Sequence, residues 1–79
     1  MIKVLLNDIK TVNEFVRITG GLMSEVDAIS GRYVVNAKSI MGLLSLDISK
    51  PIEVNVREVI ASEKIQFESL IRNLGWIVD

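Results

Sequence analysis

Between Ile52 and Arg57 the chain changes character at every residue: Ile52, Val54 and Val56 are apolar, while Glu53, Asn55 and Arg57 are polar. Successive side chains of a strand point to opposite faces, so this alternation predicts a strand with one dry and one wet face. A sheet built on such a strand needs a cover for its dry face. That cover must come from the same 79 residues. A chain of this length lies near the lower end of what folds without staples, and makes one small domain, residues 1–79. It has no cysteine, which excludes disulfides and thiolate metal sites. Apolar packing must supply the stability, and a composition that is 49% hydrophobic with a single proline permits it.

Local signals supply the other elements. Met1 to Leu6 reads as a strand, with Ile2, Val4 and Leu6 on one face, and Asn7-Asp8 breaks it. Thr11-Val12-Asn13-Glu14 has capping-box spacing, which predicts Thr11 as the N-cap of a first helix. Val12, Phe15, Val16 and Thr19 follow at helical spacing, and Gly20-Gly21 reads as the helix end rather than a ligand cradle. Glu25 to Ser30 and Arg32 to Val35 read as the arms of a hairpin around Gly31. Lys38 to Leu46 suits one short helical segment. Pro51 permits a sharp restart into the alternating strand. Ser62 is a candidate N-cap for a last helix with the stripe Phe67, Leu70, Ile71 and Leu74, and Gly75 sits where a C′ glycine belongs. Trp76-Ile77-Val78 is an apolar tail that must dock or stay exposed. The order β-α-β-β-α-β-α predicts an α+β open-faced sandwich, a four-stranded antiparallel sheet with three helices on one face. The expected core is Val4, Leu6, Phe15, Val16, Val54, Val56, Phe67, Leu70 and Leu74.

Several function classes are excluded or left without support. A net charge of -1, from 9 basic and 10 acidic side chains, offers no footprint for nucleic acid or a membrane surface. No apolar run approaches the roughly 20 residues of a membrane span, and the N-terminus lacks a small-residue cleavage site, so a cytoplasmic domain is expected. There is no Walker loop, no Cys/His cluster and no Gly-x-Ser-x-Gly, and the carboxylates are scattered, so no metal, no cofactor and no enzyme activity are expected. Histidine is absent, which removes every mechanism that needs an imidazole.

One stretch stands apart: Val35-Asn36-Ala37-Lys38-Ser39-Ile40-Met41-Gly42-Leu43-Leu44-Ser45-Leu46. A serine starts a short apolar helix, where free backbone amides gather and an added phosphate is electrostatically welcome. Ile40 and Met41 are expected to face partly outward, with Leu43, Leu44 and Leu46 anchoring the segment to the sheet. This stretch resembles the region around the regulatory serine of the HPr family, the small phosphocarriers of the bacterial sugar phosphotransferase system. The resemblance is specific over Val35 to Leu46 and extends in element order to nearly the whole chain. It implies an open-faced β-sandwich of the same order. It further implies that Ser39 is a phosphorylation site and that Lys38, Ile40, Met41 and Leu43 meet partners. HPr kinase, a transcriptional regulator and phosphotransferase-system enzymes are the partners it suggests.

The family carries its phosphoryl group on the histidine of a Gly-x-His-Ala-Arg-Pro-Ala motif at the start of the first helix. Counting from the first strand puts Lys10 in the histidine's place, Val12 in the arginine's and Asn13 in the proline's. A protonated lysine has no lone pair to attack with near neutral pH. The chain then resembles the HPr paralogues of carbon catabolite control that lack the carrier histidine, a regulatory or adaptor protein switched at Ser39. The alternative is a diverged HPr-fold protein with an unrelated binding role, in which Ser39 only caps its helix. A carrier that uses Asp8 as an acyl phosphate is a third reading, but it lacks the steadying arginine and a magnesium carboxylate cluster.

Overall fold

A computed structural model describes residues 1–78. Its elements are β1 (Ile2–Val4), α1 (Ile9–Gly20), β2 (Glu25–Ser30), β3 (Tyr33–Asn36), α2 (Ile40–Leu44), β4 (Ile52–Arg57) and α3 (Glu63–Asn73), in the expected order. The sheet runs β1-β4-β2-β3, and each neighbouring pair is antiparallel. The alternating strand β4 is therefore central, with Ala28 beside Val54 and Val26 beside Val56 in the β2 register. The helices cover the face bearing Ile52, Val54 and Val56, which are buried, while Glu53 and Arg57 are exposed. Phe15 of α1 and Phe67 of α3 meet over it edge to face, 6.0 Å between ring centres.

The first helix is capped differently from the capping-box reading. Asp8, not Thr11, is the N-cap, and its carboxylate accepts the Thr11 amide at 2.8 Å. Asn7 takes φ 69, a left-handed turn that asparagine tolerates, and this lets the helix begin at Ile9. Glu14 is left to pair with Arg17 at 2.8 Å on the exposed face. The hairpin turns at Gly31, φ +58, with Arg32 at negative φ, the combination a type II′ turn needs.

The last helix corrects two further expectations. Ser62 precedes α3 but makes no side-chain cap bond. Phe67 and Ile71 are buried, yet Leu70 and Leu74 are each 44% exposed and lie outside the core. The row Leu70–Leu74 is turned about 60° from the row Phe67–Ile71 at 3.6 residues per turn, and only the second row faces the sheet. Val16 is half-buried against the core rather than within it. At the helix end, Gly75 (φ +80) donates to Arg72 O at 3.0 Å and Trp76 N reaches Ile71 O at 3.4 Å, a Schellman closure.

That closure aims the tail. Trp76 packs near Phe15. Leu5 N donates to Trp76 O at 2.9 Å, Val78 N to Lys3 O at 3.0 Å, and Ile77 bridges Val4. The apolar tail thus docks along the outer edge of β1.

Candidate functional site

The approach to Ser39 is fixed by a chain of short polar contacts. Ala37 is buried at the end of β3, where its amide donates to Val26 O at 2.8 Å and its carbonyl accepts the Thr19 hydroxyl at 2.9 Å. Asn36 Oδ1 accepts the Lys38 amide at 2.9 Å, and Asn36 O accepts the Ser39 amide at 3.0 Å. Ser39 then sits in extended backbone as the N-cap of α2, with Oγ accepting the Gly42 amide at 3.0 Å. The helix has five residues, barely more than a turn, so the amides at its start matter more than any macrodipole.

Gly42 is a residue that sequence reasoning missed. A Cβ there would lie 3.3 Å from both Ser39 Cβ and Asn36 O. The glycine therefore permits the close approach of its amide to the serine. The signal was available: a glycine inside so short a helix costs about 1 kcal/mol against alanine, which calls for a steric reason.

The sides of α2 divide differently from expectation. Met41 is 84% exposed, and Ile40 and Leu44 are also exposed, forming one apolar patch. Leu43 is fully buried, so this residue anchors the helix and cannot touch a partner. Leu44 exchanges roles with it, because a single turn offers one inward row and Leu43 with Leu46 fills it. Lys38 is drawn inward: its ammonium donates to Leu22 O at 2.9 Å. Ser45 Oγ donates to Gly42 O at 2.6 Å at the far end of the helix.

The start of α1 lies near that far end, since Asn7 N donates to Ile48 O at 2.9 Å. The apolar patch thus runs between the region of Asp8 and Ser39, and the two are not brought together. Asp8, Ile9 and Lys10 are exposed, whereas Val12 is fully buried. A side chain at the Val12 position cannot hold a phosphate at the surface. The Thr11 amide and hydroxyl, helped by Lys10, hold the Asp8 carboxyl below its ordinary range.

A second polar cluster is structural. Glu63 accepts hydrogen bonds from the Met23 amide, the Ser24 amide and the Ser24 hydroxyl at 2.9, 2.8 and 2.6 Å. The Ser24 oxygen in turn accepts Val59 N at 2.9 Å. These bonds, that from the Ser24 hydroxyl foremost, pull the Glu63 carboxyl below its ordinary range. They tie the start of α3 to the turn after α1 and satisfy the buried serine. Among the described residues no group of acidic side chains is placed to hold a metal ion, and no helix is long and apolar enough to cross a membrane.

Comparisons with known proteins agree with the fold. The chain resembles the crystal structure of HPr-C-His from Thermoanaerobacter tengcongensis, with TM-score 0.75 and 20% identity over 94% of this chain and 89% of that one. It also resembles Crh, the catabolite repression containing protein of Bacillus subtilis, described as a domain-swapped intertwined dimer, with TM-score 0.67 and 23% identity over 100% of this chain and 90% of that one. No curated protein sequence matches. A family model, described as the PTS HPr component phosphorylation site, matches residues 9–71. That match spans most of the chain, including α1, the whole of α2 and most of α3, and with the shared fold it places the protein in the HPr family.

Proposed function

We infer that this HPr-family protein is a regulatory or adaptor member of the phosphotransferase system or of carbon catabolite control. It does not carry phosphohistidine, and Ser39 is its phosphorylation switch. The observation that carries this reading is the pairing of an intact Ser39 cap and an exposed Ile40–Met41–Leu44 patch with a sequence that has no histidine. The partners implied are protein surfaces: HPr kinase, a transcriptional regulator or phosphotransferase enzymes. The family supports a cytoplasmic setting.

The buried Val12 favours a motif register two residues earlier than counting from the first strand suggests. Asp8, the helix cap, then takes the histidine's place, Lys10 the arginine's, Thr11 the proline's and Val12 that of the inward alanine. In this register the carrier place holds a carboxylate, one oxygen of which accepts the Thr11 amide. One experiment tests the whole reading. The protein is incubated with phosphoenolpyruvate and the general phosphotransferase enzyme, then separately with HPr kinase and ATP. Mass spectrometry locates any phosphate. We expect none from the first mixture and one on Ser39 from the second. Efficient transfer in the first overturns the non-carrier assignment. No modification in the second leaves Ser39 as a helix cap only, bound to the Gly42 amide.

A further inference from the structure

The two edges of the sheet are finished differently. The β1 edge is covered by the tail, through the Leu5–Trp76 and Val78–Lys3 hydrogen bonds. The β3 edge has no such cover among the described residues. Which of its groups are open follows from the register. Ser30 and Tyr33 close a two-residue turn and so form a hydrogen-bonded pair, and the Ala37 amide on Val26 O confirms the same phase at the other end. Tyr33 and Val35 therefore turn their backbone groups to β2. Val34 turns both of its groups outward, as Asn36 does its N–H; the Asn36 carbonyl already serves Ser39. Tyr33 is 71% and Val34 63% exposed. Natural edges are guarded by lysine, proline, bulges or shortness, and of these β3 has only its four residues.

We propose that a second copy of this chain docks on this edge, with β3 antiparallel to β3 of the other copy about a two-fold axis at Val34. The pattern is complementary to itself. Val34 exchanges both backbone hydrogen bonds with the second copy's Val34. The Asn36 amide meets the second copy's Arg32 carbonyl. Exposed Tyr33 falls opposite the second copy's Val35, an aromatic and β-branched pair of the kind that stabilises antiparallel ladders. Arg32 has no carboxylate within ion-pair distance among the described residues. In this register it lies beside the second copy's Asn36, in the same cross-strand row as Asp27. Asp27 is already paired with Arg57 at 2.9 Å, so the added cation stands beside Asn36 and not against an open carboxylate, and no like charges stand directly opposite each other. The contact joins two four-stranded sheets into one and leaves the Ser39 patch outside the pairing.

Sedimentation over a wide concentration range, paired with hydrogen exchange, tests the proposal. The unmodified protein should self-associate weakly, and Val34 amide protection should rise with concentration. Val34→Pro removes an outward N–H and leaves the ladder to β2 intact, so self-association should fall tenfold or more with the circular dichroism unchanged. If that variant does not fold, the exchange measurement on the unmodified protein decides alone. A monomer at every concentration overturns the proposal. So does a dimer whose Val34 amide exchanges at a concentration-independent rate, because its interface is then elsewhere.

Discussion

Ser39 combines two roles that a substitution can separate. As N-cap it satisfies the Gly42 amide, so Ser39→Ala should lower stability by about 0.5–2 kcal/mol, read by denaturant unfolding. As the proposed phosphosite it should lose all modification by HPr kinase in the same variant, while Ser45→Ala, altered at the other end of α2, should be modified normally. Phosphorylation adds about -1.5 to -2 charges beside exposed Ile40 and Met41. It should leave far-UV circular dichroism intact and redirect binding toward surfaces rich in Arg or Lys. Lys38 can pair with that phosphate only by leaving Leu22 O, so Lys38→Ala should change the binding response less than Ser39→Ala does. Glu63 belongs to pH rather than to phosphate. Its carboxyl is depressed in the folded state, so the stability it confers is present above its unfolded pKa and is lost as pH falls through the lower folded value. Unfolding measured from neutral pH to below about pH 4.3 should therefore show a steeper loss for the unmodified protein than for Glu63→Gln. The sequence displayed Ser39 because a cap is a local signal. It hid the Glu63 cluster, whose members are 39 and 40 positions apart.

Among the elements, α3 is where pattern and packing part. Its stripe of four apolar residues was legible, but periodicity cannot tell which of two adjacent rows meets the sheet. That is decided by where the helix is anchored, at Glu63 on the Ser24 turn and at Gly75 by the Schellman closure. The two rows should respond differently. Phe67→Ala removes a buried aromatic and should cost about 3–5 kcal/mol, whereas Leu70→Ala, at a half-open site, should cost under about 1.5 kcal/mol. Equal losses in thermal or denaturant unfolding would return Leu70 to the core. The start of α1 gives the matching lesson. The capping-box spacing pointed to Thr11, but the left-handed Asn7 turns the chain earlier and Asp8 takes the cap.

At the scale of the molecule, element order and the open-faced architecture were legible because alternation, helical spacing and turn residues are all local. The sheet order was not, since β1 pairs with a strand about fifty positions away in sequence. Nor was the berth of the tail, which depends on the Schellman turn at Gly75. Removing residues 76–78 should strip the Leu5 amide of its partner and speed its hydrogen exchange, with stability falling by about 2 kcal/mol or more for the lost apolar packing. The tail and β4 flank β1 on its two sides, and both lie beyond residue 51 of the sequence. This has a kinetic consequence. Both neighbours of β1 lie about fifty positions or more along the sequence from it, while the β2–β3 hairpin can close at once. Closing so long a loop is entropically costly before any contact rewards it. Val4→Ala should therefore quicken unfolding far more than it slows refolding in a chevron measurement, the mark of a strand that is housed last.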